Sequence, residues 1–155
     1  MGVRRFTDLR AWQACDLYKK AVYAFCANGP LARDFELRDQ IRDSVAGPPS
    51  HIAEGFGRFD PPDFARFARM ASSSLMESQS HLRDAVDRKH ISEEARLKLE
   101  LLAQVAIEEV TGLITYLQSP QALLNARRVR ERRIARGANK KRRTRNRTRN
   151  TNNEP

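Results

Sequence analysis

Apolar side chains recur along most of this chain at intervals of three and four residues, the spacing of one face of an α-helix. Runs of alternating apolar and polar residues rich in Val, Ile and Thr do not occur between its turn residues, so strands have little support. The pattern therefore predicts an all-α fold.

The first helix is predicted at 7–27, with Thr7 as its N-cap residue. Asn28 or Gly29 provides a left-handed cap and Pro30 cannot continue the helix, so the helix should end there. The residues predicted to face inward are Leu9, Trp12, Cys15, Val22, Phe25 and Cys26.

The second helix is predicted at 34–56 and contains the segment Gly47-Pro48-Pro49. Proline removes a backbone donor and clashes with the preceding turn, so we expect a kink or a break near Ala46. The residues predicted to face inward are Leu37, Ile41, Val45, Ile52 and Phe56.

The third helix is predicted at 60–89, with Asp60 as its cap and Pro61 in the first turn, and Ser92 should cap the fourth. The third helix should bury Phe64, Phe67, Ala71, Leu75, Leu82, Ala85 and Val86. The fourth should bury Ala95, Leu99, Leu102, Ala106, Val110, Leu113 and Leu117.

The fourth helix also carries a second apolar stripe, Leu97, Leu101, Val105 and Ile114. One apolar face is enough for a helix of an isolated bundle. The wider apolar arc is therefore explained either by contact with another subunit or by deeper burial within one chain.

Charge is distributed very unevenly along the 155 residues. Residues 1–120 carry 16 Lys and Arg against 17 Asp and Glu, a net charge of −1, whereas residues 121–155 carry 13 against 2, a net of +11. A polyanionic partner should therefore bind the C-terminal segment. No run of about 18 apolar residues or signal-peptide segment is present, and two cysteines make no disulfide framework, so we expect a cytoplasmic protein with no membrane partner.

The basic segment should follow a domain at 1–119 as a short helix at 120–137, ended by Gly137, and a disordered tail at 138–155. That tail has no aliphatic side chain larger than alanine with which to form a core. Arginine forms two hydrogen bonds with a phosphate, whereas the absence of aromatic residues from 121–155 argues against base stacking. The predicted nucleic-acid-binding residues are Arg127, Arg128, Arg130, Arg132, Arg133, Arg136, Lys140, Lys141, Arg142, Arg143, Arg145, Arg147 and Arg149.

Side chains capable of catalysis or metal binding are few and badly spaced. A di-metal bundle needs two Glu-x-x-His pairs, and only Asp87 and His90 come near that spacing. Ser72-Ser73-Ser74 lacks a nucleophile-elbow glycine pattern, and Cys15 and Cys26 fit small buried apolar residues. We therefore predict no catalytic residue, no metal site and no cofactor.

Three stretches of the chain resemble the 23S rRNA-intervening-sequence protein family of bacterial four-helix bundles. The stretches are Phe6 to Gln13, Gln40-Ile41-Arg42 leading to Ile52-Ala53-Glu54-Gly55-Phe56-Gly57-Arg58, and Phe64 to Phe67 leading to Ala71 and Ser74-Leu75-Met76-Glu77. The resemblance covers roughly 6–118. The chain departs from the family pattern at Gly47-Pro48, at His51 and at Ser73.

The resemblance implies an antiparallel up-down four-helix bundle that assembles into a homopentamer and has no catalytic activity. It also implies a partner, either ribosomal RNA or a reverse transcriptase. The reverse transcriptase is implied because a related group of proteins serves diversity-generating retroelements. We predict a non-catalytic, oligomeric accessory protein that binds RNA or DNA through its tail. Two alternatives remain: a scaffold that binds another protein, with a merely solubilising tail, and an enzyme with a metal in the bundle.

Overall fold

The computed structural model describes the backbone of residues 3–58 and 60–151, and their side chains except those of 133 and 138–151. The described residues form helices and turns and contain no strand, so the predicted all-α class is confirmed. The helices are α1 (Arg10–Cys26), α2 (Phe35–Arg58), α3 (Pro61–Asp87), α4 (Glu93–Leu117) and α5 (Pro120–Thr151), with 3₁₀ turns at Phe6–Asp8 and Leu31–Arg33. None of these helices is long and apolar enough to cross a membrane.

The chain divides into two compact units, Met1–Gln118 and Ser119–Pro155. Within the first unit, α1 packs against α2 and α4, and α3 packs against the same two helices. The second unit consists of α5 over its described residues.

The core of the first unit is built from the apolar stripes of its four helices. Most of the residues predicted to face inward are buried, including Cys15 and Val22 of α1, Ile41 and Ile52 of α2, Leu75 and Leu82 of α3, and Leu99 and Val110 of α4. Trp12 and Leu102 are only partly buried and pack against the edge of this core.

The predicted N-cap residues Asp60 and Ser92 are confirmed. The Asp60 carboxylate accepts a hydrogen bond from the Asp63 amide at 3.1 Å at the start of α3, and the Ser92 hydroxyl accepts one from the Ala95 amide at 3.1 Å at the start of α4. For α5, the Ser119 hydroxyl accepts a hydrogen bond from the Ala122 amide at 3.3 Å. Such side-chain acceptors satisfy backbone donors that the first turn leaves unpaired.

The predicted N-cap of α1 at Thr7 is wrong. Thr7 lies inside the 3₁₀ turn Phe6–Asp8, and α1 begins at Arg10 after Leu9. The rings of Phe6 and Trp12 meet edge to face with centroids 5.4 Å apart. This aromatic contact stabilises the turn over the first residues of α1, so the helix begins three residues later than predicted.

Helix α2 runs without a break through Pro48 and Pro49, so the predicted break near Ala46 does not occur. Both prolines are buried, and burial of their rings offsets the loss of two backbone donors. The Ser50 hydroxyl donates to the Ala46 carbonyl at 2.9 Å within this segment. A kink in α2 stays a prediction.

Helices α2 and α3 are in close contact at Gly55. A Cβ atom placed on Gly55 would lie 2.3 Å from the Phe64 ring and 2.9 Å from Phe67 Cβ, distances that no side chain tolerates. On Gly57, two residues later, a Cβ atom would meet no neighbouring atom within 4 Å. Gly55 is therefore required by packing, and it brings the two helices together beside the turn that joins them.

Helix α5 continues to Thr151, although the sequence predicts a helix end at Gly137 and disorder from residue 138. Arginine and lysine have good helix propensity, and one interior glycine costs only about 1 kcal/mol. Ala, Lys and Arg make up eight of the 14 residues at 138–151, whereas the other six are Asn or Thr, which favour helix less. Residues 152–155 lie outside the described residues.

Candidate nucleic-acid interface

Helix α5 exposes the predicted phosphate-binding arginines of its first half. The predicted residues whose side chains are described are all exposed: Arg127, Arg128, Arg130, Arg132 and Arg136. Arg133 and the seven cations from Lys140 to Arg149 lie at helical positions, but their side chains are outside the described part of the chain. Whether these cations bind nucleic acid stays a prediction.

The acidic residues of this segment neutralise little of its charge. Arg127 donates to the Glu131 carboxylate at 3.1 Å, and both side chains are largely exposed. An exposed ion pair of this kind contributes about 0–1 kcal/mol, so a phosphate can replace Glu131 at little cost. Glu131 and Glu154 are the only acids in the sequence from 121 to 155.

The cationic positions of α5 are distributed all around the helix axis. At 100° per residue, positions 127, 128 and 130 already lie on three different sides, and the positions that follow fill the remaining ones. Large apolar residues stop at Ile134. The sequence therefore gives the second half of α5 cationic positions on every side and no apolar stripe.

Two arginines of the first unit, Arg58 and Arg66, each lie over an aromatic ring and pair with an acidic residue. Arg66 lies over the Phe67 ring at 4.7 Å and pairs with Asp63 at 3.1 Å. Arg58 lies over the same ring at 5.1 Å and pairs with Glu54 at 2.6 Å. Because each of these two arginines has an acidic partner, this corner of the unit is close to electrically neutral.

Two further stacked pairs were not predicted from the sequence. Arg38 lies over the Phe35 ring at 4.8 Å, and Arg42 lies over the Tyr23 ring at 5.1 Å. The spacing of Phe35 and Arg38 on one helix could have indicated the first pair. The second pair joins α1 to α2 and depends on how those helices pack, which the sequence pattern does not specify.

Three side chains that could suggest metal binding, His51, Glu77 and His81, line one groove between α2 and α3. His81 lies 3.7 Å from Glu77 on α3, and His51 lines the same groove from α2. Among the residues that the structure describes, no group of three His, Cys, Asp or Glu side chains could hold a metal ion.

The two cysteines are buried and unpaired, as predicted. Burial, with a smaller contribution from the Asp16 charge, raises the pKa of the Cys15 thiol to about 12. A thiol with so high a pKa is protonated at neutral pH and is a poor nucleophile.

The second apolar stripe of α4 is exposed within the single chain. Leu97, Leu101 and Val105 retain 49%, 70% and 51% of their accessible surface, whereas Ile114 is partly buried. Three large apolar side chains spaced one turn apart form a continuous surface on one helix. Deeper burial within one chain therefore does not explain Leu97, Leu101 and Val105.

Comparison with protein families finds a match over most of the chain. The family model described as 23S rRNA-intervening sequence protein matches residues 7–112, which include α1, α2, α3 and most of α4. A search of curated proteins finds no match to the chain.

Proposed function

The chain belongs to the 23S rRNA-intervening sequence protein family, and from this premise we propose that it is a non-enzymatic, homo-oligomeric protein that binds RNA or duplex DNA through the cations of α5. The observation that carries the proposal is the charge asymmetry, −1 over residues 1–120 against +11 over 121–155. Lys and Arg that neutralise phosphates release bound counterions, and this release drives association with a polyanion.

The shape of α5 supports contact with the backbone of a nucleic acid. Its described arginines are exposed, and its cationic positions surround the helix axis. Contacts with phosphates position a protein but carry no sequence information. We therefore expect little sequence preference from α5.

Oligomerisation would strengthen a weak individual contact. We propose that α1–α4 form an up-down four-helix bundle and that the exposed α4 stripe of Leu97, Leu101 and Val105 packs against another copy, in a pentamer. Five copies would bring five basic helices to one assembly, and linked sites gain avidity without new contacts. A reverse transcriptase or a ribosomal RNA would then be the larger partner.

A scaffold function is the second candidate, and the exposed α4 stripe favours it. Apolar surface of this kind is typical of protein–protein contact sites. In that case the stripe would bind a different protein, and the basic segment would serve only solubility. Salt-sensitive binding of nucleic acid separates the two candidates.

The decisive experiment is a salt titration of RNA and duplex DNA binding by the full chain and by a chain that lacks residues 121–155. We expect the deletion to weaken binding at least ~100-fold near physiological salt, because each lost phosphate contact removes about 0.9 from the log–log salt slope on duplex DNA. A matched control keeps 121–155 but replaces its 13 Lys and Arg by Gln, and it should bind as poorly as the deletion.

Two results would contradict the proposal. If the full chain and the deletion bind equally, with the same salt slope, the site lies on the first unit. If neither binds at low salt, the scaffold function becomes the better explanation.

A further inference from the structure

Two arginine–aromatic pairs lie next to each other where α1 meets α2. The Arg38 guanidinium lies 4.8 Å from the centre of the Phe35 ring, and that of Arg42 lies 5.1 Å from the centre of the Tyr23 ring. These four residues, Tyr23, Phe35, Arg38 and Arg42, are called the α1–α2 patch below.

The residues of the α1–α2 patch share one surface. Phe35, Arg38 and Arg42 are spaced three and four residues apart, which places them on one side of α2. Burial raises the pKa of the Cys26 thiol at the end of α1, the charges of Arg42 and Arg38 lower it, and the charge of Asp39 raises it. The two guanidinium groups and the Asp39 carboxylate therefore lie close to the same end of α1.

The patch presents an exposed ring to solvent. Phe35, the first residue of α2, retains 65% of its accessible surface although Arg38 lies over its ring. Arg42 is exposed and Tyr23 is half-buried. An exposed phenyl ring beside guanidinium groups is suited to a ligand that has both a flat apolar face and negative charge.

Acidic residues flank the basic ones on this surface. Arg38 donates to the Asp39 carboxylate at 2.8 Å and to the Ala32 carbonyl at 3.3 Å, so its donors are largely occupied. Asp43 lines the groove between α2 and α3, whereas Arg42 contacts the Tyr23 ring. Arg42 is exposed and pairs with no carboxylate among the described residues, so it is the guanidinium group of the patch that is available to an anion.

We propose that the α1–α2 patch binds unpaired bases of single-stranded nucleic acid, with one base stacked on the exposed part of the Phe35 ring and an adjoining phosphate bound by Arg42. The inference rests on the proposed nucleic-acid-binding function and adds what α5 lacks, because residues 121–155 contain no aromatic side chain. Aromatic stacking is available to a base that is out of a duplex and tolerates any sequence. The patch thus gives the protein a preference for single-stranded segments, while α5 binds any phosphate backbone.

The test compares the full chain with Phe35→Ala and Phe35→Leu, using a fluorescent single-stranded RNA of mixed sequence and the duplex of the same length. One base–aromatic stack is worth roughly a tenfold change in affinity or more. Both variants should therefore bind the single strand about tenfold more weakly and the duplex within about twofold of the unmodified chain. Phe35→Leu keeps an apolar side chain of similar size, so its loss of affinity would report the ring.

Met76→Ala serves as the matched control, because Met76 is an exposed apolar residue on α3, away from the patch. It should bind both probes like the unmodified chain. Circular dichroism and light scattering on every variant check that fold and assembly are unchanged.

Several outcomes would overturn the inference. Unchanged single-strand affinity in Phe35→Ala, full affinity in Phe35→Leu, or equal losses on both probes would each exclude stacking. A change of oligomer mass in Phe35→Ala would place the ring in a contact between copies. If the unmodified chain binds neither probe, the proposed function fails as well. If both variants bind normally, only the proposed role of the α1–α2 patch is excluded.

Discussion

The hydroxyl oxygen of Tyr18 on α1 lies 3.0 Å from that of Ser78 on α3, and both side chains are fully buried. Ser78 donates its own proton to the Leu75 carbonyl at 2.7 Å, so Tyr18 is the donor in the bond between the two hydroxyl groups. Burial raises the pKa of Tyr18 to about 12, so the donor stays protonated at neutral pH. This bond links two helices of the core through polar atoms.

Removing the acceptor should cost more than removing the donor. Ser78→Ala leaves the Tyr18 hydroxyl buried without a partner, which costs about 1–3 kcal/mol of the free energy of unfolding. Tyr18→Phe leaves Ser78 with its bond to Leu75 and should cost about 1 kcal/mol. Urea denaturation at a fixed protomer concentration measures both, and a larger cost for Tyr18→Phe would contradict the assignment of donor and acceptor.

The two glycines at the end of α2 should respond to alanine in opposite ways. Gly55→Ala forces a Cβ atom against Phe64 and Phe67, and overpacking of this kind costs about 1–3 kcal/mol of the free energy of unfolding. Gly57→Ala meets open space and should change that free energy little or raise it by up to about 1 kcal/mol, because alanine favours helix. Equal melting temperatures for the two variants would show that α2 and α3 are not held together at Gly55.

The exposed stripe of α4 predicts an oligomer whose mass depends on Leu101. Light scattering of the full chain at micromolar concentration should give about five times the monomer mass of 17.8 kDa. Leu101→Glu should lower that mass, because it would bury a charge in the contact. Met76→Glu, on the exposed surface of α3, is the control and should leave the mass unchanged. A monomeric unmodified chain would contradict the prediction.

Asp34 should make the stability of the fold sensitive to acid. Its carboxylate accepts hydrogen bonds from His90 at 2.9 Å, from the Leu37 amide at 3.2 Å and from Arg88 at 3.2 Å, and these bonds hold its pKa below the ordinary 3.8. Because the folded pKa is the lower one, the stabilisation is fully present above about pH 4 and is lost as the pH falls through the folded pKa.

Urea denaturation between pH 6 and pH 2.5 tests this dependence. Asp34→Asn should be less stable than the unmodified chain at pH 6, and the difference between them should shrink below about pH 4. Asp87→Asn, at the exposed end of α3, is the matched control and should follow the unmodified chain. A difference between Asp34→Asn and the unmodified chain that is the same at every pH would show that ionisation of Asp34 contributes nothing.

Local sequence signals account for most of the first unit. The helical spacing of apolar residues identified α1–α4, and the capping residues Asp60 and Ser92 marked two starts correctly. The prediction failed where tertiary contacts override local rules. Helix α1 begins later than predicted, next to the Phe6–Trp12 contact. Helix α2 continues through Pro48 and Pro49, and both prolines are buried.

The candidate interface was predictable in part. Composition alone located the cations of α5, since a charge asymmetry needs no knowledge of packing. The α1–α2 patch could not be found in this way, because Tyr23 and Arg42 are distant in sequence and meet only when α1 packs on α2. The exposure of Leu101 also required the fold, since an apolar residue on a helix looks the same in the sequence whether it faces a core or a partner.

The close approach at Gly55 bears on how proteins of this kind diverge. Gly55 belongs to the string Ile52 to Arg58 that carries part of the family resemblance, and its neighbours on α3 are the Phe64 ring and the Phe67 Cβ atom. The glycine in this string is therefore required by the short distance between α2 and α3. Two proteins can share this string while their outer surfaces bind unrelated ligands. A family match that rests on the string therefore indicates a shared fold, and the function of each protein must be sought in its other segments.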